Sequence, residues 1–365
     1  MNPGYYIGCD KKELDTPALW VDLEIMERNI AQMAGFIQAA GVGWRPHTKG
    51  IKIPAIAHKL IAAGALGVTC AKLGEAEVMA AAGVGDILIA SQVVGQTKVM
   101  RLASLCHHAD VMAAVDSYEN ACQLAEAARQ VGVTLRVLIE IDTGMHRCGV
   151  PADGRALKLA QQIAELPGLR LSGVMGWEGH TVDIADPAEK RQAVHQAVEA
   201  LVAVAQTLSV AGLPAPIVSC GGSGSYRITA TIPGVTEVQA GGAILGDVTY
   251  AEWGAQTEPG LFILSTVISR PAPERAVVDA GRKAMNGEVS MPVATGLPGG
   301  RLLRLNAEHG ILELEQPEIG LKVGDKLDFV AGYGDNTVFL HEYLYGVRKG
   351  KVEVAWEVLG RGRFD

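Results

Sequence analysis

From about Ala18 to Tyr250 the chain alternates short apolar or β-branched runs with longer stretches of helical period, and this alternation restricts the fold more than any other feature. The runs are ALWVD, GVGWRP, ALGVTC, DILIA, VMAAV, RVLIEI, LSGVMGW, APIVSC and TEVQA. Between them lie stretches such as EIMERNIAQMAGFIQAA, SYENACQLAEAARQ and PAEKRQAVHQAVEALVAVAQTLSVA, in which apolar residues recur three and four apart. Strand, helix, strand at this cadence specifies parallel strands joined by right-handed crossovers. Eight such units close into a barrel, and the spare run, most simply ALWVD, pairs elsewhere.

After GAQTEPG the pattern changes. LFILSTVISR, ERAVVDA, RLLRLN, HGILEL, DKLDFVAG, TVFLHEYLYGVR and KVEVAWEVLG read as strands separated by turn residues. The expected architecture is α/β: a (β/α)8 TIM-type barrel over residues 23–252, and an all-β domain of residues 253–365 with the N-terminal strand of residues 1–22. A chain of 365 residues, 48% hydrophobic, has enough apolar content for one large domain and a smaller one.

Net charge is −8, with Lys and Arg scattered, so neither nucleic acid nor an anionic membrane is expected as a partner. The opening MNPGYYIGCDKKELDTP lacks a basic start and apolar core, and no later stretch reads as long enough to span a bilayer. The expected location is cytoplasmic. Six cysteines are spread singly with no CxxC pair, which argues against a disulfide framework or a zinc knuckle. Most of them read as small buried apolar residues, a lone catalytic thiol being the alternative.

In a β/α barrel the active site is built at the carboxyl ends of the strands. That rule selects His47 and Lys49, residues 70–72, Ser91 and Gln92, Asp116, and residues 142–147, 177–180, 219–226 and 239–242. Lys49, in RPHTKGIK, is either a solvated charge or an amine in a partly desolvated pocket, where a lowered pKa favours a Schiff base with an aldehyde such as pyridoxal phosphate. Its place at a strand end, with His47 two residues earlier and Pro46 stiffening the approach, supports the second reading. A phosphate needs an anchor. VSCGGSGSYRI offers one, with Gly221, Gly222 and Gly224 for close backbone approach and Ser223 and Ser225 as hydroxyl donors. VQAGGAIL, with Gly241 and Gly242, is a second such loop at the next strand end. In IEIDTGMHRCGV, Gly144 and Gly149 permit sharp turns between Asp142 and Arg147. Arg147 reads as a partner for the cofactor's ring or phenolate oxygen, with a weak surface ion pair as the alternative.

DTPALWVDLEIMERNI, RPHTKGIKIPAIA, KLGEAEV, IDTGMHRCGV, VSCGGSGSY, EVQAGG, VVDAGRKAM, NAEHGIL and GVRKGKVEVAW together resemble the D-threonine aldolase, D-3-hydroxyaspartate aldolase and D-serine dehydratase family, over nearly the whole chain and in order. The resemblance implies the alanine-racemase-like fold (fold type III of the pyridoxal-phosphate enzymes), pyridoxal phosphate as cofactor, a small-molecule amino-acid substrate, and a homodimer. It matches Lys49 to the Schiff-base lysine, Arg147 to the arginine beside the cofactor ring, and Gly222, Ser223 and Gly224 to the phosphate loop. Gly241 and Gly242 match the second loop, and Gln239 faces the pyridine nitrogen. A neutral amide there makes the ring a weaker electron sink than a carboxylate would.

The likeness breaks in two places. Family members hold a divalent cation through a histidine and, two residues on, an Asp or Cys. Here the stretch AGYGDNTVFLHE has Asp335 at the second position but Tyr333 at the first. After GVMGW, where aldolases of the family have a tyrosine, then His or Gln, then a later histidine, this chain has Trp177, Glu178 and Asp183. Whether Mn, Mg or Zn binds is therefore open. Without a cation a protein base must act, and His180, Glu178 and Asp335 are the candidates, His180 having the pKa suited to proton traffic near neutrality. Glu178 and His180 pairing with each other is the plainer alternative, and Asp335, Glu178 and His180 together an alternative cation set. His309 and His341 match family residues outside the metal pair. The leading expectation is cleavage of a D-configured β-hydroxy-α-amino acid to an aldehyde and a glycine-like product. Dehydration or deamination, racemisation or epimerisation, and non-catalytic cofactor binding remain rivals.

Overall fold

Backbone pairing in the computed structural model, which describes residues 3–297, 299–315 and 320–365, sorts the strands into two sheets. The first ten strands are β1 (Ala18–Asp22), β2 (Gly43–Trp44), β3 (Val68–Cys70), β4 (Asp86–Gln92), β5 (Asp110–Val115), β6 (Leu135–Asp142), β7 (Val150–Pro151), β8 (Leu169–Met175), β9 (Ile217–Cys220) and β10 (Glu237–Val238). Eight of them lie in the order β2, β10, β9, β8, β6, β5, β4, β3, all parallel, while the two-residue β7 adds to β6. The ring closes because the chain stays extended beyond Trp44. His47 bridges Thr69, Thr48 N–H donates to Thr69 O at 2.8 Å, and Thr69 N–H to Pro46 O at 2.9 Å. On its other edge the same segment donates from Arg45 N–H to Val238 O and from His47 N–H to Gln239 O, each at 2.9 Å. This is the expected (β/α)8 barrel, in chain order.

Crossovers carry α1 (Leu23–Ala39), α2 (Pro54–Ala62), α3 (Leu73–Ala81), α4 (Gln96–Leu105), α5 (Tyr118–Val131), α6 (Gly154–Ala164) and α7 (Pro187–Val210). Their ends follow capping chemistry: Ser117 Oγ accepts from Asn120 N–H at the start of α5, and Gly132 closes it with φ of 74°. At 24 residues, α7 corrects the expectation that no stretch approaches membrane-spanning length, since by length and composition it does. Val194, Val198, Leu201, Val202, Ala205 and Leu208 are buried at spacings of three and four, and α7 packs on β8 and β9, the habit of a barrel helix. Leu88, Met112, Ala114, Leu138 and Met175 fill a cluster at the barrel's heart.

The later strands are β11 (Leu261–Ala272), β12 (Arg275–Val278), β13 (Val293–Ala294), β14 (Gly300–Leu305), β15 (Gly310–Leu314), β16 (Lys326–Val330), β17 (Tyr343–Arg348) and β18 (Lys351–Glu357). They form the strand-rich second sheet, in which β1 is the spare run found a home: antiparallel to β11 and parallel to β17. Ala18 to Val21 are all buried, as a central strand covered on both faces requires. Trp20 stacks on Phe262 with centroids 4.5 Å apart and donates from Nε1 to Asp328 Oδ1 at 2.8 Å.

The chain divides into two compact units, one of Met1–Gln32, Gly50–Ile53 and Gly242–Gly362, the other of Met33–Lys49, Pro54–Gly241 and Arg363–Asp365. The strand-rich unit thus takes in residues 242–252 and the first half of α1, which the sequence boundaries assigned to the barrel. The cysteines also depart from expectation: only Cys70 and Cys220 are buried, and Cys148 is exposed. Burial nonetheless pushes the Cys148 thiol up, Glu140 and Asp116 add to it, and together they outweigh the opposing pull of Arg147, so the thiolate is disfavoured there.

Inside the barrel unit Arg45 is buried at the closing seam, with Nε 2.9 Å from Glu237 Oε1 and Nη1 2.8 Å from Asp86 Oδ1. Burial opposes its charge, but the two carboxylates prevail and hold it protonated. Arg45→Ala leaves the buried Glu237 carboxylate without its partner and is expected to destabilise the protein by about 3–5 kcal/mol, read from urea unfolding. A loss below about 1 kcal/mol contradicts the role given to the seam.

Candidate active site

Lys49 ends the closing segment, and each residue before it is fastened. Thr48 Oγ1 donates to Glu75 Oε1 at 2.5 Å, and the fully buried Glu75 also accepts Ala71 N–H at 3.1 Å. Lys49 N–H donates to His47 Nδ1 at 3.3 Å, so a neutral His47 carries its ring proton on Nε2. Gly241 is required here: a Cβ on it would lie 2.6 Å from His47 N.

Beyond β8 the chain presents Trp177. The Lys49 ammonium lies 5.2 Å from the Trp177 ring centroid and the Arg147 guanidinium 5.3 Å, so one indole serves two cations. Arg147 comes from the loop after β6, where Gly144 and Gly149 adopt φ of 122° and 100° and a Cβ on Gly149 would lie 2.6 Å from Asp142 N. Asp142 organises this loop by accepting N–H from Gly144 and His146, both at 3.0 Å. Burial acts to raise its carboxyl, but those bonds prevail and hold it below the ordinary range. Arg147 stands 3.8 Å from Glu140, which also accepts Gln92 Nε2 at 2.5 Å. Burial pushes the Glu140 carboxyl up, Gln92 and Arg147 pulling the other way.

The glycine-rich loop follows β9. Gly221 takes φ of 80°, Gly222 N–H donates to Ser225 Oγ at 3.0 Å, and a Cβ on Gly222 would lie 2.8 Å from Trp177 Nε1. Gly224 N–H, half-buried, has no protein acceptor among the described residues. Ser223 Oγ accepts Gly241 N–H at 3.2 Å, joining the two glycine loops. Gln239 is buried and donates from Nε2 to Ser219 Oγ at 2.9 Å.

Glu178 is not at a rim, nor paired with His180. It is 1% exposed, and its carboxylate accepts Gly221 N–H at 3.3 Å, Ser225 Oγ at 2.7 Å and Thr229 Oγ1 at 2.5 Å. That set makes it a positioning residue for the glycine loop rather than a proton carrier. His180 is exposed, its ring against Gly144, where a Cβ would approach Nε2 to 2.8 Å. Neither Trp177 as a platform nor Glu178 as a loop anchor was legible as such, although both sit at a strand end. The signal for Glu178 was the run of hydroxyl residues in SGSYRIT.

In the strand-rich unit, Asp335 accepts from Tyr250 Oη at 2.9 Å and from Tyr333 Oη at 3.1 Å. Burial raises both phenols, and the Asp335 charge adds to it. Asp247, accepting N–H from Tyr250 at 2.7 Å and Gly334 at 2.6 Å, is nonetheless pushed up to about 8 by burial. His341 is tied to Ala284 O at 2.6 Å, and His309 is exposed. Among the described residues no group of three or more His, Cys, Asp or Glu is placed to hold a metal, and of the alternative cation set of Asp335, Glu178 and His180, Glu178 already accepts from Gly221, Ser225 and Thr229.

A closed parallel barrel with a lysine at the end of its first strand and glycine loops after its last two defines a class of enzymes that bind a phosphorylated aldehyde cofactor at the strand ends. The chain belongs to the alanine racemase N-terminal domain family, whose model matches residues 21–249, and a putative serine dehydratase domain matches residues 260–347. It is 36% identical to the D-threonine aldolase of Arthrobacter sp, over 97% of this chain and 95% of that protein. Among solved structures it is similar to the D-threonine aldolase from Filomicrobium marinum, with a TM-score of 0.95 and 36% identity over 98% of this chain and 99% of that one. The D-threo-3-hydroxyaspartate dehydratase from Delftia sp. HT23 matches with a TM-score of 0.88 and 31% identity over 96% and 99%, and a variant of it is solved in a metal-free form.

Pyridoxal phosphate, which this family implies, fits the residues present: the Lys49 amine lies along an indole face, and the glycine loop keeps the Gly224 amide available to an anion. The cation fits poorly, because Tyr333, a neutral phenol that donates to Asp335, stands where the resemblance expects a histidine ligand. Glu178→Ala leaves buried donors without their acceptor and is expected to speed release of pyridoxal phosphate from the holoprotein at least about tenfold, whereas Glu178→Gln, keeping one acceptor oxygen, stays within about threefold. Dialysis followed by absorbance reads both, and an unchanged rate in the alanine variant contradicts the anchoring role.

Proposed function

We propose that this chain is a pyridoxal-phosphate-dependent lyase that cleaves a D-configured β-hydroxy-α-amino acid into an aldehyde and a glycine-like product. The observation that carries the reading is the Lys49 ammonium over the Trp177 ring, beside Arg147, in a chain alike to D-threonine aldolases from end to end. When bound, the cofactor supplies an aldehyde for the substrate amine and an electron-withdrawing ring. The protein supplies the rest. Lys49 is the amine that holds the cofactor, and residues 221–224 with Gly241 and Gly242 hold its phosphate. Arg147 neutralises ring oxygen charge, and Gln239 offers the ring nitrogen a neutral group, which favours short-lived carbanions.

Removal of the β-hydroxyl proton falls to an imidazole. His180 is exposed on the loop after β8, and His47 is oriented by the Lys49 N–H. The protein is read as cytoplasmic and as a homodimer, without nucleic-acid or membrane partners. A second reading, dehydration to an oxo acid with release of ammonia, is favoured by the likeness to the Delftia dehydratase.

The purified holoprotein should release aldehyde from D-threonine or D-3-hydroxyaspartate, detected by a coupled alcohol dehydrogenase, with no ammonia. His180→Gln should lower kcat by about 10²–10⁴-fold with KM little changed. Ammonia without aldehyde selects the dehydratase reading, and no turnover of any D- or L-amino acid contradicts catalysis altogether.

A further inference from the structure

Asp335 follows β16 in the strand-rich unit and is half-buried. Tyr250 Oη and Tyr333 Oη donate to its two carboxylate oxygens, one to each, at 2.9 and 3.1 Å. The rings are held in turn: Tyr250 and Tyr333 meet edge to face at 5.5 Å, and Trp253 packs against them at 5.8 and 5.6 Å. On another side the backbone closes in. A Cβ on Gly50 would lie 2.7 Å from Asp335 Cγ, and one on Gly242 2.7 Å from Asp335 Oδ1. A divalent cation at this carboxylate would compete with two phenol hydrogen bonds, and the phenols themselves, neutral near pH 7, are poor donors to a metal. Zn²⁺ favours an imidazole or thiolate beside a carboxylate, and Mg²⁺ or Mn²⁺ held by a single carboxylate and water is bound weakly. Tyr333 supplies neither nitrogen nor charge, and no group of three or more His, Cys, Asp or Glu gathers among the described residues.

We infer that this chain binds no divalent cation at Asp335, that its two phenols stand in the coordination space instead, and that Tyr333 is the residue that decides this. Tyr333 is two residues from Asp335, so an imidazole in its place would face the same carboxylate and complete a nitrogen and oxygen pair. The site works as a hydrogen-bonded carboxylate between two phenols, and turnover proceeds without a metal. The statement about turnover rests on the lyase reading above, whereas the statement about cation binding stands independently of it.

The test uses the purified holoprotein, dialysed against EDTA and titrated calorimetrically with Mn²⁺ and with Zn²⁺, alongside elemental analysis of the protein as isolated. The wild type should hold substoichiometric metal and show no saturable binding, and Asp335→Asn should leave its profile unchanged. Tyr333→His should bind Mn²⁺ or Zn²⁺ stoichiometrically, at least about tenfold tighter than the wild type, and lose that binding when combined with Asp335→Asn. Stoichiometric uptake by the wild type that Asp335→Asn abolishes overturns the inference. So does a folded Tyr333→His protein that binds no better than the wild type. Should that variant not fold, the wild-type and Asp335→Asn titrations decide alone. Where turnover is found, EDTA should leave its rate unchanged; where none is found, the lyase reading fails while the titrations still judge the cation.

Discussion

The structure depends on how the barrel's first strand is held on both of its edges. Residues 43–48 exchange backbone bonds with Thr236, Val238 and Gln239 on one side and with Leu66 and Thr69 on the other, and the buried Arg45 ties the seam through the buried Glu237 and the half-buried Asp86. A strand fixed this way cannot slip by one residue without turning its side chains to the opposite face. Lys49 is therefore aimed by the closure of the ring, and the Gln239 carbonyl and Gly241, from the last strand's exit, help to set it.

From that fixed amine the site extends through contacts that share partners. Trp177 faces Lys49 and Arg147, its Nε1 lies against Gly222, and its carbonyl accepts Thr143 Oγ1 at 3.1 Å. Glu178, its neighbour in sequence, turns inward and gathers Gly221, Ser225 and Thr229. Adjacent residues at one strand end thus divide the work, one as a wall of the pocket and one as the peg beneath the glycine loop. A buried carboxylate below a loop proposed to hold an anion would oppose that anion's charge, so its value lies in the loop geometry it enforces.

Much of this was legible before any coordinate. The two periodicities of the chain separated barrel from sheet, and even the spare run ALWVD found its place, because apolar period is set by burial and burial by the fold. Lys49, Arg147 and both glycine loops followed from the rule that barrel sites lie at strand ends. The direction of a side chain at such an end was not legible. Glu178 was a candidate base because it stands at a strand end close to His180, and only three-dimensional contacts show its carboxylate turned to Gly221, Ser225 and Thr229. Nor was Tyr250, which lies 85 residues before its partner Asp335, since no local pattern joins them. The length of α7 was underestimated, although its reading as a crossover helix agrees with the face it buries against β8 and β9.

The central claim is that the Lys49 amine is the group that holds the cofactor. Borohydride reduction of the purified holoprotein, followed by proteolysis and mass spectrometry of the peptides, tests it most directly. The account predicts a phosphopyridoxyl group on the peptide containing RPHTK, at Lys49, and no labelled peptide in the Lys49→Ala protein. A label on Lys52, Lys72 or any other lysine, or a Lys49→Ala protein that is labelled as fully as the wild type, contradicts it.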